Sequence, residues 1–152
     1  MAAGWGRRMR VEMVKYATDQ SATASATVKP TYVALTTSNP GDDGQTNAAG
    51  AVEPTSTGGY ARQTIAFAAV TTPSNDAAAL TKHAAISFGA SSAAWSTGAS
   101  TLGFVALYAS QTLFTEAVFC GRATITTPPA VASAGITLTI AQDAIQMGLI
   151  SV

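Results

Sequence analysis

The 152 residues carry no net charge, eight Lys and Arg balancing eight Asp and Glu, and only 11% of them are charged. A neutral chain projects no global field toward nucleic acid or an anionic membrane, and no run approaches the ~20 apolar residues of a bilayer span. The basic N-terminus is not followed by an apolar stretch, which argues against a signal peptide, and a single Cys120 excludes an internal disulfide.

The length suits one domain with a real core. Hydrophobic residues make up 47% of the chain, much of it alanine, and Thr, Ser, Ala and Gly dominate the rest. A small-residue surface with little charge repulsion can pack closely on copies of itself or on another protein, although a compositional bias gives the same signature.

Residues 1–30 have the pattern of an N-terminal arm. MAAGWGRRMR holds Trp5 and the cluster Arg7, Arg8 and Arg10, VEMVKYA predicts a short helix, and DQSATASATVKP is an aperiodic linker. Such a basic arm either contacts an acidic partner or is a solvated tail. The body, 31–152, opens with the strand TYVALTT after Pro30. Residues 38–59 are turn formers with almost no large apolar side chains, a loop longer than compact domains usually carry. Within it, PGDDG lacks the alternating acidic ligands of a calcium loop, so Asp42 and Asp43 predict a turn.

YARQTIAFAAV (60–70) predicts a second strand, with Ile65 and Phe67 on one face. A connection with one helical turn near Ala77 to Leu80 leads to the strand AAISFGA, followed by a Gly/Ser-rich loop bearing Trp95. LGFVALYAS (102–110) is apolar on both faces, the mark of a central, doubly covered strand. LFTEAVFCGRATIT pairs with it as a hairpin, and Pro128 and Pro129 end that hairpin. GITLTIA alternates with Ile136, Leu138 and Ile140 inward, Gln142 and Asp143 turn the chain, and AIQMGLISV closes the sheet. About six to eight short strands with almost no helix predict an all-β fold, an antiparallel β-sandwich or jelly roll.

Chemistry-bearing patterns are sparse. His83 and Cys120, each the only one of its kind, make a poor metal site. A Cys–His nucleophile pair is formally possible, but Cys120 has the setting of a buried strand thiol. The carboxylates are scattered, and no phosphate loop, nucleophile elbow or dinucleotide fingerprint occurs. The expectation is no catalytic residue, no metal and no cofactor. The aromatic residues are not interleaved with basic ones, which argues against a nucleic-acid platform. Trp95 has three readings: core packing, a subunit interface, or glycan binding. Arg62, in GGYARQTIAF, is one of five arginines. By strand parity it lies opposite Ile65 and Phe67, placed to pair with a carboxylate across a sheet or subunit boundary, with Glu53 and Glu116 as candidates.

The order of these segments resembles a family of small tailed-bacteriophage virion proteins, variously tail-fibre-like, minor tail or head-decoration proteins. The match is carried by Pro30 to Leu35, the acidic turn Pro40 to Gly44, Gly58 to Arg62, Phe88 to Trp95 and Gly103 to Tyr108, in that order. It spans roughly residues 30–125, and the YVALTTSNPGDDG and GGYAR pieces are its most specific part. The resemblance implies a non-enzymatic virion protein assembled in the host cytoplasm.

The reading taken first is a capsid decoration, or cement, protein. It would be a homotrimer contacting the major capsid protein and copies of itself, with no nucleic acid or membrane partner. It would stabilise the shell by binding only its assembled form. The alternative is a tail or tail-fibre component involved in host attachment. Trp5, Arg7, Arg8, Arg10, Arg62 and Trp95 are the candidate interface residues. A carbohydrate-binding module acting through Trp95 and a Cys120-dependent hydrolase are the readings from other classes.

Overall fold

A computed structural model describes residues 3–5, 30–42, 53–54, 56–68, 83–95, 101–113 and 118–145. The expected helix in VEMVKYA, the arm cations Arg7, Arg8 and Arg10, the turn near Ala77 to Leu80, Glu116 and the closing residues after Ile145 lie outside them. The described part of the protein is all-β and antiparallel. Seven strands form it: β1 Ala3–Trp5, β2 Tyr32–Thr36, β3 Gln63–Thr64, β4 Ile86–Phe88, β5 Phe104–Tyr108, β6 Phe119–Thr124 and β7 Leu138–Ile140. Five make one sheet in the order β1-β6-β5-β2-β3, and β4 and β7 make a second. No helix among the described residues is long and apolar enough to cross a membrane.

The two sheets share one core. Val33, Leu35, Val105 and Leu107 from the large sheet and Ile86 and Phe88 from the small one are buried together, with Leu138 and Ile140 packed against them. This is a five-plus-two sandwich, and the eight strands of a jelly roll are not among the described residues. Inward Ile136, Leu138 and Ile140 alternate with exposed Thr137 and Thr139, as the period-two pattern requires.

β5 is the middle strand of its sheet and is buried on both faces. Val105 and Leu107 enter the main core, while Ala106 and Tyr108 join Ala34 and Phe119 in a second cluster on the opposite face. Its apolar run therefore reports position in the sheet. The β5–β6 ladder slips once: Leu107 faces Gly121 but Tyr108 faces Phe119. The extra residue is Cys120, so Phe119 joins the second cluster while Cys120 is buried in the main core.

The strand predicted over 60–70 is mostly not regular. Only Gln63–Thr64 pair with β2, and farther on Phe67 makes a single bridge to His83. The run begins with a 3-10 turn at Ser56–Gly58, and Gly59 has φ +77°, a conformation that side chains disfavour. This turn puts the Tyr60 ring in the main core, whereas Arg62 lies on Tyr108 of the second cluster. Tyr60 and Arg62 thus do not share a face, contrary to simple parity, but Arg62 and Ile65 do lie on opposite sides as expected. β1 also departs from the arm reading: Ala3–Trp5 pairs with Gly121–Ala123 as the sheet's outer strand.

Burial pushes the Cys120 thiol up from 9.0 to about 12. It stays protonated at neutral pH and is no nucleophile there. Because the folded value is raised, the associated stability is present below about pH 9 and is lost as pH climbs toward 12. We predict that native protein resists thiol alkylation at neutral pH while denatured protein reacts, and that Cys120→Ala flattens the alkaline part of a pH–stability curve. Rapid alkylation of the native state would contradict this.

Candidate functional site

The most elaborate polar arrangement among the described residues is built on Arg62. Its guanidinium is buried, with side-chain exposures of 2% for Arg62 and 7% for its partner Glu53. Nε donates to Glu53 Oε1 at 3.0 Å and Nη2 to Oε2 at 3.0 Å, a two-pronged pairing that fits the planar fork. Nη1 donates to the carbonyls of Ser110 at 2.8 Å and Leu113 at 3.0 Å, both in the β5–β6 connection. The guanidinium carbon lies 3.8 Å from the centre of the Tyr108 ring, adding a cation–π contact.

Glu53 also accepts a hydrogen bond from the Tyr60 hydroxyl at 2.9 Å, and that hydroxyl accepts from the Leu35 N–H at 2.9 Å. β3 begins only at Gln63, opposite Val33, so it does not reach Leu35 farther along β2. The Leu35 N–H would otherwise lose its partner, and the phenol takes the place of a strand there. Burial first, and the Glu53 carboxylate second, hold the Tyr60 phenol well above its ordinary value, so it remains a donor to Glu53. One chain of bonds therefore joins β2, the end of the long loop, the start of β3 and the hairpin tip.

Trp95 is likewise interior. It is 5% exposed, sits edge-on to Tyr60 and Phe88 with centroids 5.4 and 6.4 Å apart, and donates from Nε1 to the Gly58 carbonyl at 2.7 Å. A Cβ at Gly58 would fall 2.8 Å from Trp95 Cδ1, so Gly58 makes room for the indole. The glycan reading fails on this placement, because the ring is buried in the core. The other end of the long loop is tied by Arg122 of β6, whose Nη1 donates to the Gly41 carbonyl and to Asp42 Oδ1 at 2.7 Å. Asp42 is a tethered turn residue here.

His83 is buried and used in full. Its Nε2 accepts from the Ile145 N–H at 3.0 Å, which places the ring proton on Nδ1, 2.6 Å from the Ala84 carbonyl. Its own N–H donates to Asp143 Oδ1 at 2.8 Å. Asp143 holds φ 56°, where the short acidic side chain is tolerated. Cys120 is a protonated thiol in the main core, whereas His83 holds the backbone at Ala84 and Ile145.

Of the candidate interface residues, Arg62 and Trp95 are inside the chain, their polar atoms spent on Glu53, Ser110, Leu113 and Gly58. Arg62 pairs with Glu53, one of its two expected partners, within the chain. Trp5 lies in outer strand β1, and Arg7, Arg8 and Arg10 are outside the described residues.

Comparison with known families adds the decisive observation. The model of one family, described as podophage GP4 fiber I protein gp80, matches residues 13–148. The chain belongs to this family. Membership makes it a structural component of a phage virion, in line with the resemblance seen in the sequence, and extends the match beyond residues 30–125 in both directions. No curated protein and no solved structure matches the chain.

The Tyr60–Leu35 bond had no sequence signal beyond the GGY start, since it depends on where β3 begins to pair with β2. Removing one half of a buried ion pair leaves the other uncompensated, so Arg62→Met is expected to cost about 3–5 kcal/mol. Tyr60→Phe, which strands the Leu35 N–H, should cost about 1–3 kcal/mol. Urea unfolding followed by Trp fluorescence measures both; losses near those of exposed-surface variants would refute the network's weight.

Proposed function

We propose that this protein is a tail-fibre component of the virion with a role in host attachment, acting without chemistry of its own. The observation that carries the reading is the family match over residues 13–148, whose description is that of a fibre protein. The sandwich fits such a part. The ends of the long polar segment are pinned to the sheet by Arg62–Glu53 and Arg122–Asp42, which stiffens the described body. His83 and Cys120, the side chains best suited to catalysis, are committed to internal hydrogen bonding and core packing.

The decoration reading, taken first from the sequence, is supported less well, because it requires a capsid-bound protein whereas the family description points to a fibre. Self-association belongs to both readings and rests on the low charge of the chain. The homotrimer stands with it as a proposal.

Position in the particle decides between the two. Gold-labelled antibody against this chain is expected to mark the tail fibres of intact particles in electron micrographs. Label spread evenly over the head, with a copy number matching the capsomers, would overturn the fibre reading and restore the decoration one.

A further inference from the structure

The turn at Gln142 and Asp143 is fastened to β4's approach through one residue. The Asp143 N–H donates to the His83 carbonyl at 3.1 Å, the His83 N–H donates to Asp143 Oδ1 at 2.8 Å, and the Ile145 N–H donates to His83 Nε2 at 3.0 Å. Two further bonds of the segment are local, from the Ala144 N–H to the Ala141 carbonyl at 3.2 Å and from the Gln142 amide to Asp143 Oδ2 at 3.5 Å. The segment ends in Ile145, which is buried in the main core and, with Ala144, forms part of the wall of a cavity between the two sheets. That side of the core is therefore shut by a bond to an imidazole nitrogen.

The ring of His83 is buried, and both of its nitrogens are engaged. Nδ1 lies 2.6 Å from the Ala84 carbonyl, which can only accept, so Nδ1 carries the proton. The Ile145 N–H can only donate, so Nε2 is bare. These two partners together admit the neutral ring alone. A second proton would sit on Nε2 and face the Ile145 N–H, leaving two buried donors with no acceptor between them.

Histidine is the side chain whose charge ordinarily changes between about pH 5 and 8. The described residues bonded to His83, in ring contact with it or lining the pocket beside it are, alanines aside, Phe67, Gln142, Asp143 and Ile145. Of these only Asp143 ionises. Its negative charge attracts a proton to the ring, but its Oδ1 is bonded to the His83 backbone and the partner of Nε2 is Ile145, so the carboxylate does not relieve the conflict.

We propose that His83 is an acid-sensitive latch: the neutral ring holds the Ile145 end of the turn in the core, and the protonated ring releases it. The direction follows from proton counting. The shut state holds one ring proton and the open state takes a second, so acid favours opening. The latch is at full strength above the ordinary histidine range and weakens as pH falls through it and below. One proton per opening sets the slope at about tenfold per pH unit. The Asp143 bonds to the His83 backbone do not involve the ring, so the part released is Ala144 and Ile145, with both sheets left in place.

Native-state hydrogen exchange of the full chain from about pH 8 to 5, with intrinsic rates divided out and the ring nitrogens followed by NMR, tests this. The ring should start in its Nδ1–H form. Protection of the Ile145 amide should fall about tenfold per pH unit once the ring protonates, while amides of the central strand β5 keep theirs. Ile145 protection that stays level over this range would overturn the proposal, as would a loss shared by β5, which marks global unfolding. Two variants assign the proton. Asp143→Asn keeps an acceptor, tolerates the positive φ and cannot ionise. Its acid step should persist, and disappearance of that step would give it to the carboxylate and overturn the latch. His83→Gln removes the ring, so Ile145 protection should become level with pH, and a surviving acid step would overturn the latch too. Should His83→Gln fail to fold, the ring titration in Asp143→Asn decides the same point, since the loss at Ile145 must track it.

Discussion

A guanidinium taken out of water costs several kcal/mol unless every donor finds a partner, and that requirement organises this molecule. Arg62 meets it with a carboxylate, two carbonyls and an aromatic face. Those partners come from segments far apart in sequence: Glu53 ends the long loop, Tyr108 is in the central strand, and Ser110 and Leu113 form the hairpin tip. Satisfying one charge therefore fixes the relative positions of all of them. Tyr60 extends the constraint to β2 through the Leu35 N–H. Such a network contributes less as net stability than as a penalty on any other arrangement, since a half-made version leaves a buried charge or donor unpaired.

The same constraint connects to function through rigidity. A structural part of a virion must hold its contact surfaces in place, and this chain has few charges with which to do so. Among the described residues, two ion pairs sit at the two ends of the long polar segment. Arg122 ties the start of the long loop to β6, and Arg62 ties its end to β3 and the hairpin. The short strands leave little exposed edge, β3 being two residues and β1 three.

Much of the fold was legible in the residues because period-two alternation and turn formers are local signals. The central position of β5 followed from its two-sided apolar run, and β7 from Ile136, Leu138 and Ile140. What was not legible depends on long-range geometry. Tyr60 leaves the face that parity assigns because Gly59 turns the backbone, a fact visible only once the 3-10 turn at Ser56–Gly58 is in place. The bulge at Cys120 shifts the register without any local marker, since a cysteine in an apolar run fits either face. Arg62 and Trp95 drew attention by their rarity. Rarity marked them as important but did not say whether the importance lay inside or outside the molecule, and the partners that answered it are nine or more residues away.

The central claim is that the Arg62 network covers β2 beyond the start of β3. The Leu35 amide reports it most directly, because its hydrogen-bond acceptor is the Tyr60 hydroxyl. In native-state hydrogen exchange, Leu35 should open only with global unfolding in the wild type and by a separate, easier local opening in Arg62→Met. A Leu35 amide that exchanges in the wild type as fast as exposed loop amides, or equally slowly in both proteins once the stability difference is subtracted, would contradict the account.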